Sequence, residues 1–528
     1  MNKLLSKLGK IAYYSAFSLI ILLLSYLTYS SFTQTAMMDY NMSEYTYFVQ
    51  DNIFINIIFT FIFSLILYLI AKVLSHFKLR YIYFSFMLII TIYMTYLISN
   101  INLHPSWDAL FVNNAACDLQ NGIYDAFLPG NYLATYPFLI PTVLYYYLLN
   151  LIFGTNYIAF QLCNLLLLLV MYSYLVKTSL LLKNKTTAII GLLLIVCFIP
   201  LQMYVIFLYS NIPSACFMAI SVYYLTKYLL YKTHSYLIWG FIALTMAILF
   251  KGTSYVILIA FVICFLLSQI YAFKLKSIII SSLCILILLA TPSMVNYSIE
   301  SMHKEIDLSN KLYAKIALVM GSSWGGRCAG WYTGYGQVLQ DKYGNDLAAK
   351  KLEANRQLAE NYYNLWSSHE FWTFYDIKSR SMWTNPEFQG FWTITANKEQ
   401  NRGQGEKDKQ SFLFIHYERE NDWYSKITQS FFYGFIHDFL AFMLNILQNI
   451  IYLFTLLYMI YHYKRPNYAT LFISLILLGG FLFLALWEGK AQYAILYYIQ
   501  IFPLAAVGIY NTFDYFEKRF LAKNQKEA

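Results

Sequence analysis

His104-Pro-Ser-Trp107-Asp108-Ala-Leu-Phe-Val-Asn113-Asn114-Ala-Ala-Cys-Asp118, continued by Asn121-Gly-Ile-Tyr124-Asp125 and closed by Tyr136-Pro137, is a polar stretch set between strongly apolar sequence. From Arg80 to Lys177 the chain has no Lys, Arg or Glu between those two residues, and Asp108, Asp118 and Asp125 are the only formal charges. A carboxylate held at a membrane surface far from any sequence-local cation costs free energy, so it needs open water or a chemical task. Asp108 is the first candidate for such a task.

The composition around this stretch sets the class. A chain of 528 residues with 59% hydrophobic and 12% charged residues is not an ordinary soluble protein. Apolar runs of about 18 to 25 residues, each long enough to cross hydrocarbon as a helix, recur about thirteen times. They lie near 12–33, 53–71, 81–101, 136–153, 157–176, 187–206, 212–230, 235–250, 253–271, 277–297, 436–461, 468–487 and 491–511. The expected fold is therefore an all-α polytopic membrane protein with about 12 or 13 transmembrane helices. Lys3, Lys7 and Lys10 precede the first run, and no small-residue cleavage pattern follows it, so it is expected to be a retained span.

The net charge of +10 does not point to nucleic acid, because the cations sit in short segments beside spans instead of forming a stripe. Lys72, Lys78 and Arg80, Lys183 and Lys185, Lys227 and Lys232, Lys274 and Lys276, Lys464 and Arg465, and Lys518 to Lys526 mark cytoplasmic loops. Asp108 and Asn211 then fall on the external side. Both chain ends are basic, which requires an even number of crossings and conflicts with an odd count of runs. The run at 136–153, which has no charge to place it, is the suspect.

The interruption from about Glu300 to Ser430 divides the chain. The expected modules are 1–297, an N-terminal transmembrane part with the Asp108 loop at 103–137; 298–432, a mixed extracytoplasmic domain; 433–511, C-terminal transmembrane helices; and 512–528, a basic cytoplasmic tail. Within the domain, the run from Gly321 through Trp324, Arg327, Gly330, Trp331 and Tyr332 to Gly336 must be loop-like, since Gly disfavours helix and strand interiors. A polar helix is predicted over 345–366, and a charged, mobile loop over 397–409. The seven cysteines and eight histidines form no metal-binding pattern. Cys117 and Cys328 are the only cysteines in external segments, so a disulfide between them is open.

Pro105 and Ser106 favour a short helix from Asp108 onward, where an aspartate could serve only as a helix cap. Two further pieces belong beside it: Tyr209-Ser210-Asn211-Ile-Pro213-Ser214 at the end of a span, and Leu486-Trp487-Glu488-Gly489-Lys490-Ala-Gln492-Tyr493 between the last two spans. Lys251 is a lone cation between two apolar runs, where snorkelling and phosphate binding are both open.

Trp107-Asp108, Tyr136-Pro137, Ile212-Pro213-Ser214, Met320-Gly321, Gly330-Trp331-Tyr332 and Trp487-Glu488, in that order, resemble bacterial polytopic glycosyltransferases of the GT-C fold. These are the relatives of protein O-mannosyltransferases and of the aminoarabinose transferases of lipid A. The anchors spread over roughly 104–505. Two positions depart from the family pattern: Asn211 stands where an aspartate is usual, and Gln492 where an arginine is usual.

The resemblance implies transfer of a monosaccharide from a polyprenyl-phosphate donor to a cell-envelope acceptor, a wall polysaccharide, teichoic acid or lipid, on the external face of the cell membrane. It implies a metal-independent inverting reaction with no cofactor. Asp108 would be the base, and Lys251, Lys490 and Arg327 the cations for the donor phosphate. Trp107, Asn113, Tyr136, Tyr209, Asn211, Trp331 and Glu488 would contact substrate. Expected partners are the donor lipid, the acceptor, membrane lipids and the enzymes that make and flip the donor, with no nucleic acid. The rivals are a polysaccharide polymerase or ligase using a diphosphate-linked donor, and a lipid-linked sugar flippase or transporter. The last would carry charges inside several spans, and here the span interiors are nearly free of them.

Overall fold

The computed structural model describes the chain outside residues 1, 40–44, 102, 106, 309–311, 395–433, 466 and 528. The loop predicted over 397–409 lies outside the described residues. All thirteen apolar runs are helical over most of their length. Among the described residues, nine helices are long and apolar enough to cross a membrane, and a bent pair makes up to ten.

Two runs are interrupted, and both interruptions are written in prolines. The helices Asp125–Thr135 and Pro137–Phe153 meet at 105°. Tyr136, the residue before Pro137, is driven out of the helical region to φ −121° and ψ 59°. The run at 187–206 divides into Lys185–Cys197 and Ile199–Met203, with Phe198 at the break and Pro200 in the first turn of the second piece. His234–Phe250 is likewise shorter than a full span.

Asparagine starts many of the long helices. The Asn52 side chain accepts from the backbone N–H groups of Phe54 and Ile55 at 3.1 and 3.2 Å. Asn156, Asn184 and Asn467 cap Tyr157–Leu182, Lys185–Cys197 and Tyr468–Leu486 in the same way. Each cap satisfies donors that the first turn of a helix leaves without a partner.

The helix Ile53–Leu74 shows which solvent the bundle is built for. Its buried residues are Asn56, Thr60, Ser64, Tyr68 and Ala71, while Phe54, Ile58, Leu69 and Val73 point outward. Small and polar side chains at four-residue spacing face the protein, and large apolar ones face away. That is the reverse of a water-soluble helix and the pattern of helix packing in lipid. Close approach recurs in the interior, where a Cβ on Gly508 would lie 2.0 Å from the Phe454 carbonyl oxygen.

Polar elements gather at one end of the bundle. A hairpin of Gln34–Asp39 and Tyr45–Gln50 joins the first two spans. Its backbone reaches Thr384 at 3.0 Å and Arg327 at 3.2 Å. Between the spans Leu275–Glu300 and Gly434–His462 lie the helices Leu312–Gly321, Tyr335–Tyr343, Leu347–Ser367 and Phe371–Trp383. The first three enclose a small core of Leu312, Ile316, Val319, Met320, Leu339 and Ala354. Elsewhere in the bundle Lys72 pairs with Glu517, and Lys185 donates to the Ser75 carbonyl.

Candidate active site

Asp108 lies in the first turn of the helix Trp107–Gln120. It is the second helical residue, so it is not the capping residue. A carboxylate there is favoured by the positive end of the helix dipole. Asp108 is exposed, and the hydroxyl of the half-buried Tyr132 hydrogen-bonds to it. Tyr132 in turn hydrogen-bonds with Tyr209, whose hydroxyl is held well above the usual phenol range by burial first and then by the Asp108 charge.

From there an aromatic wall leads to the second carboxylate. Tyr132 stacks on Phe111 at 4.7 Å and lies 5.0 Å from Tyr136. Tyr136 meets Tyr313 edge-on at 5.2 Å, and Tyr313 meets Trp487 at 5.8 Å. Glu488 follows Trp487 and is 4% exposed. Asp108 and Glu488 both act electrostatically on Tyr136, Tyr209, Tyr313 and Tyr493, so the two carboxylates share one site.

The cations close the opposite side. Lys251 is buried between His234–Phe250 and the next helix, and it donates to Asn211 Oδ1 at 2.8 Å. It also lies 4.9 Å from the Tyr493 ring centroid. Burial, and then the Lys490 charge, push its pKa down to about 7. Asn211 sits at the N-terminus of Asn211–Tyr231, and its Nδ2 is buried without a partner. Arg327 and Lys490 lie over the same Tyr332 ring, at 5.3 and 5.6 Å.

The Gly and aromatic run docks on the turn that carries Glu488 and Lys490. The Gly489 N–H donates to the Gly330 carbonyl at 2.7 Å, and Trp331 and Gly489 form a parallel bridge. The glycines answer a steric need. A Cβ on Gly321 would lie 2.3 Å from the Leu486 carbonyl oxygen, and one on Gly330 would lie 2.5 Å from the Lys378 side chain.

The structure thus brings Asp108, Tyr136, Tyr209, Asn211, Lys251, Arg327, Glu488 and Lys490 together. Two expected substrate contacts are buried. Trp331 is 0% exposed, with its indole N–H donating to Ser381 Oγ at 2.9 Å, so its ring is a packing anchor. Asn113 is also buried, donating to the carbonyls of Ala109 and Leu208 at 2.7 and 3.1 Å, and it fastens the Asp108 helix to the segment before Tyr209. Trp107 is helical, and its side chain lies outside what the structure describes. Cys117 and Cys328 are not joined: Cys117 accepts from Asn150 Nδ2, and Cys328 hydrogen-bonds with Ser381.

Sequence reasoning missed Tyr132, Tyr313, Tyr493 and Lys378. Lys378 is 0% exposed and falls at helical spacing with Phe374 and Met382, a signal that it belongs to the buried face of Phe371–Trp383. Among the described residues, no three His, Cys, Asp or Glu side chains come together as metal ligands would.

The carboxylates, lysines and aromatic rings thus gather at one end of a bundle of apolar helices. Residues 140–296 match the family model of dolichyl-phosphate-mannose-protein mannosyltransferases, which bears out the resemblance drawn from the motifs. The matched part contains Asn211 and Lys251 but neither Asp108 nor Glu488. Solved structures similar to the chain include the oligosaccharyltransferase AglB of Archaeoglobus fulgidus with an inhibitory peptide and a dolichol-phosphate. That match has 13% identity and a TM-score of 0.40, covering 84% of this chain and 52% of the other. The apo oligosaccharyltransferase of the same organism matches at 12% identity and a TM-score of 0.42, with the same coverage. The chain spans about half the length of these structures. No curated protein matches it.

Proposed function

We propose that the protein transfers a monosaccharide from a polyprenyl-phosphate donor to a cell-envelope acceptor, a wall polysaccharide, teichoic acid or lipid, on the external face of the cell membrane. The observation that carries this reading is the convergence of Asp108 and the buried Lys251 on one aromatic cluster at the end of the bundle: the Asp108 charge acts on Tyr209 and Tyr493, and the Lys251 ammonium lies 4.9 Å from the Tyr493 ring centroid. The dolichyl-phosphate-mannose family match over 140–296 supports a polyprenyl-phosphate donor.

The chemistry balances with groups at hand. The acceptor O–H gives its proton to the Asp108 carboxylate while its oxygen forms a bond to the anomeric carbon. The bond from that carbon to the phosphate oxygen breaks, its electron pair leaves with the phosphate, and the anomeric centre inverts. Phosphate is a good leaving group, so no acid is required. Lys251 and Lys490 stabilise the charge that develops on it. Asn211 holds Lys251, and Tyr132 orients Asp108.

The 298–432 segment is assigned to the external side, with its Gly and aromatic run covering the turn at Glu488. The acidic end of the bundle then faces out, and the lysine-rich segments face the cytoplasm.

The test compares wild type with Asp108→Asn in membranes supplied with a radiolabelled polyprenyl-phosphate sugar. Label should enter envelope polymer with wild type and fall by about 100-fold or more with the variant, the scale expected on losing a general base. Unchanged transfer by the variant would overturn Asp108 as base. Wild-type transfer only from a diphosphate-linked donor would overturn the donor assignment.

A further inference from the structure

We infer that Lys378 is a positioning residue for the site: its buried ammonium joins two helix ends and thereby sets the turn that presents Glu488 and Lys490. The inference rests on the proposed function for the part those two residues play, and on geometry for the rest. Lys378 Nζ donates to three backbone carbonyls, those of Gly321 at 2.6 Å, Ala485 at 2.8 Å and Trp487 at 2.7 Å.

Gly321 is the last residue of Leu312–Gly321, and Ala485 lies in the last turn of Tyr468–Leu486, with Trp487 as its cap. One ammonium therefore answers carbonyls at the C-terminal ends of two helices, where acceptors lack partners and the dipole is negative. All three donors of a lysine are used, and a buried ammonium without them would be strongly unfavourable.

The surroundings leave no slack. Gly330 lies against the Lys378 stem, its carbonyl accepts from the Gly489 N–H, and Met382 Sδ lies 3.1 Å from where a Cβ of Gly489 would stand. The turn Trp487–Lys490 is thus held by Lys378 at the Trp487 carbonyl and by Gly330 and Trp331 at Gly489. Burial pushes the Lys378 pKa down to about 7, and the Glu488 charge opposes that shift, so the carboxylate on the turn helps to keep the proton on the ammonium.

The experiment uses the full chain in membranes. Lys378→Met keeps the stem and removes the donors; Lys378→Gln, which retains an amide, replaces it if the Met variant fails to insert. Three readouts are taken: transfer from a polyprenyl-phosphate sugar, hydrogen exchange at the Gly489 amide, and a cycle with Glu488→Gln. The expected result is a fall in kcat/KM of about 10- to 100-fold, as for a misplaced reacting group. Gly489 should exchange faster, and the double variant should lose less than the product of the two single losses, because both changes act through one turn. Wild-type exchange at Gly489, or multiplying losses in the double variant, would overturn the inference. Absence of transfer by wild type would instead count against the proposed function, and the exchange readout would still decide the role of Lys378.

Discussion

The Lys251 ammonium and the Asn211 side-chain oxygen, 2.8 Å apart, form a buried contact in which a neutral amide holds a cation. An aspartate at 211 would make that contact an ion pair, with Lys490 as the opposing like charge.

The Lys251 pKa of about 7 gives a pH prediction whose sign differs for activity and stability. Charge is lost as pH rises through about 7, so the donor KM should rise above that pH. The folded pKa lies below the unfolded value of 10.5, so the unfolded chain binds more protons between the two, and stability should increase with pH across that window. Asn211→Asp should move the rise in KM to higher pH. Steady-state kinetics from pH 6 to 9 decide it, and an unshifted profile in the variant would refute the role given to the pair.

Removal of the Tyr132 hydroxyl should leave the ring stacked on Phe111 at 4.7 Å while freeing Asp108. Tyr132→Phe should therefore lower kcat by about 10-fold, less than loss of the base itself, with the unfolding temperature nearly unchanged. A loss as deep as that of Asp108→Asn would mean that Tyr132 itself contacts the reacting atoms.

Asn113→Ala removes two buried hydrogen bonds to backbone carbonyls. Thermal unfolding in detergent should show a loss of about 1–3 kcal/mol. Donor KM should change little, since Asn113 is buried and its amide is bonded to the Ala109 and Leu208 carbonyls. A donor KM raised tenfold with unchanged stability would restore it as a substrate contact.

Gly321→Ala should act on both fold and site. The added Cβ would lie 2.3 Å from the Leu486 carbonyl and 2.5 Å from that of Trp487, so the turn before Glu488 must shift. Overpacking of this kind costs about 1–3 kcal/mol. Activity should fall further than that loss of stability accounts for, which parallel measurements of unfolding and transfer would reveal.

The spans were legible because apolar length alone carries that information, and the Asp108 helix was legible because Pro105 and an isolated carboxylate stand out in uncharged sequence. Charge parity made the run at 136–153 suspect as a crossing, but the bend at Tyr136-Pro137 was not expected, although proline chemistry accounts for it. The hairpin around Gln34–Asp39 escaped because its partners, Thr384 and Arg327, are far away in sequence. Lys378 escaped because, among Asp376, Arg380 and several aromatics, a lysine suggests a solvated helix face. Its three acceptors are backbone carbonyls, which carry no side-chain signature. Trp331 and Asn113 were assigned to substrate because residue type alone does not tell a pocket-lining side chain from one that fastens the wall.

The inward stripe of Asn56, Thr60, Ser64 and Tyr68 has a consequence for biogenesis. Its helix packs on Gly434–His462 and on the final helix, and the Tyr68 hydroxyl ends on Glu517. The first span and Lys185–Cys197 cover part of the stripe, with the Phe32 carbonyl accepting from Asn56 Nδ2, and Gly434–His462 and the last helix cover the rest. A chain cut before Gly434 would therefore leave part of that stripe facing lipid.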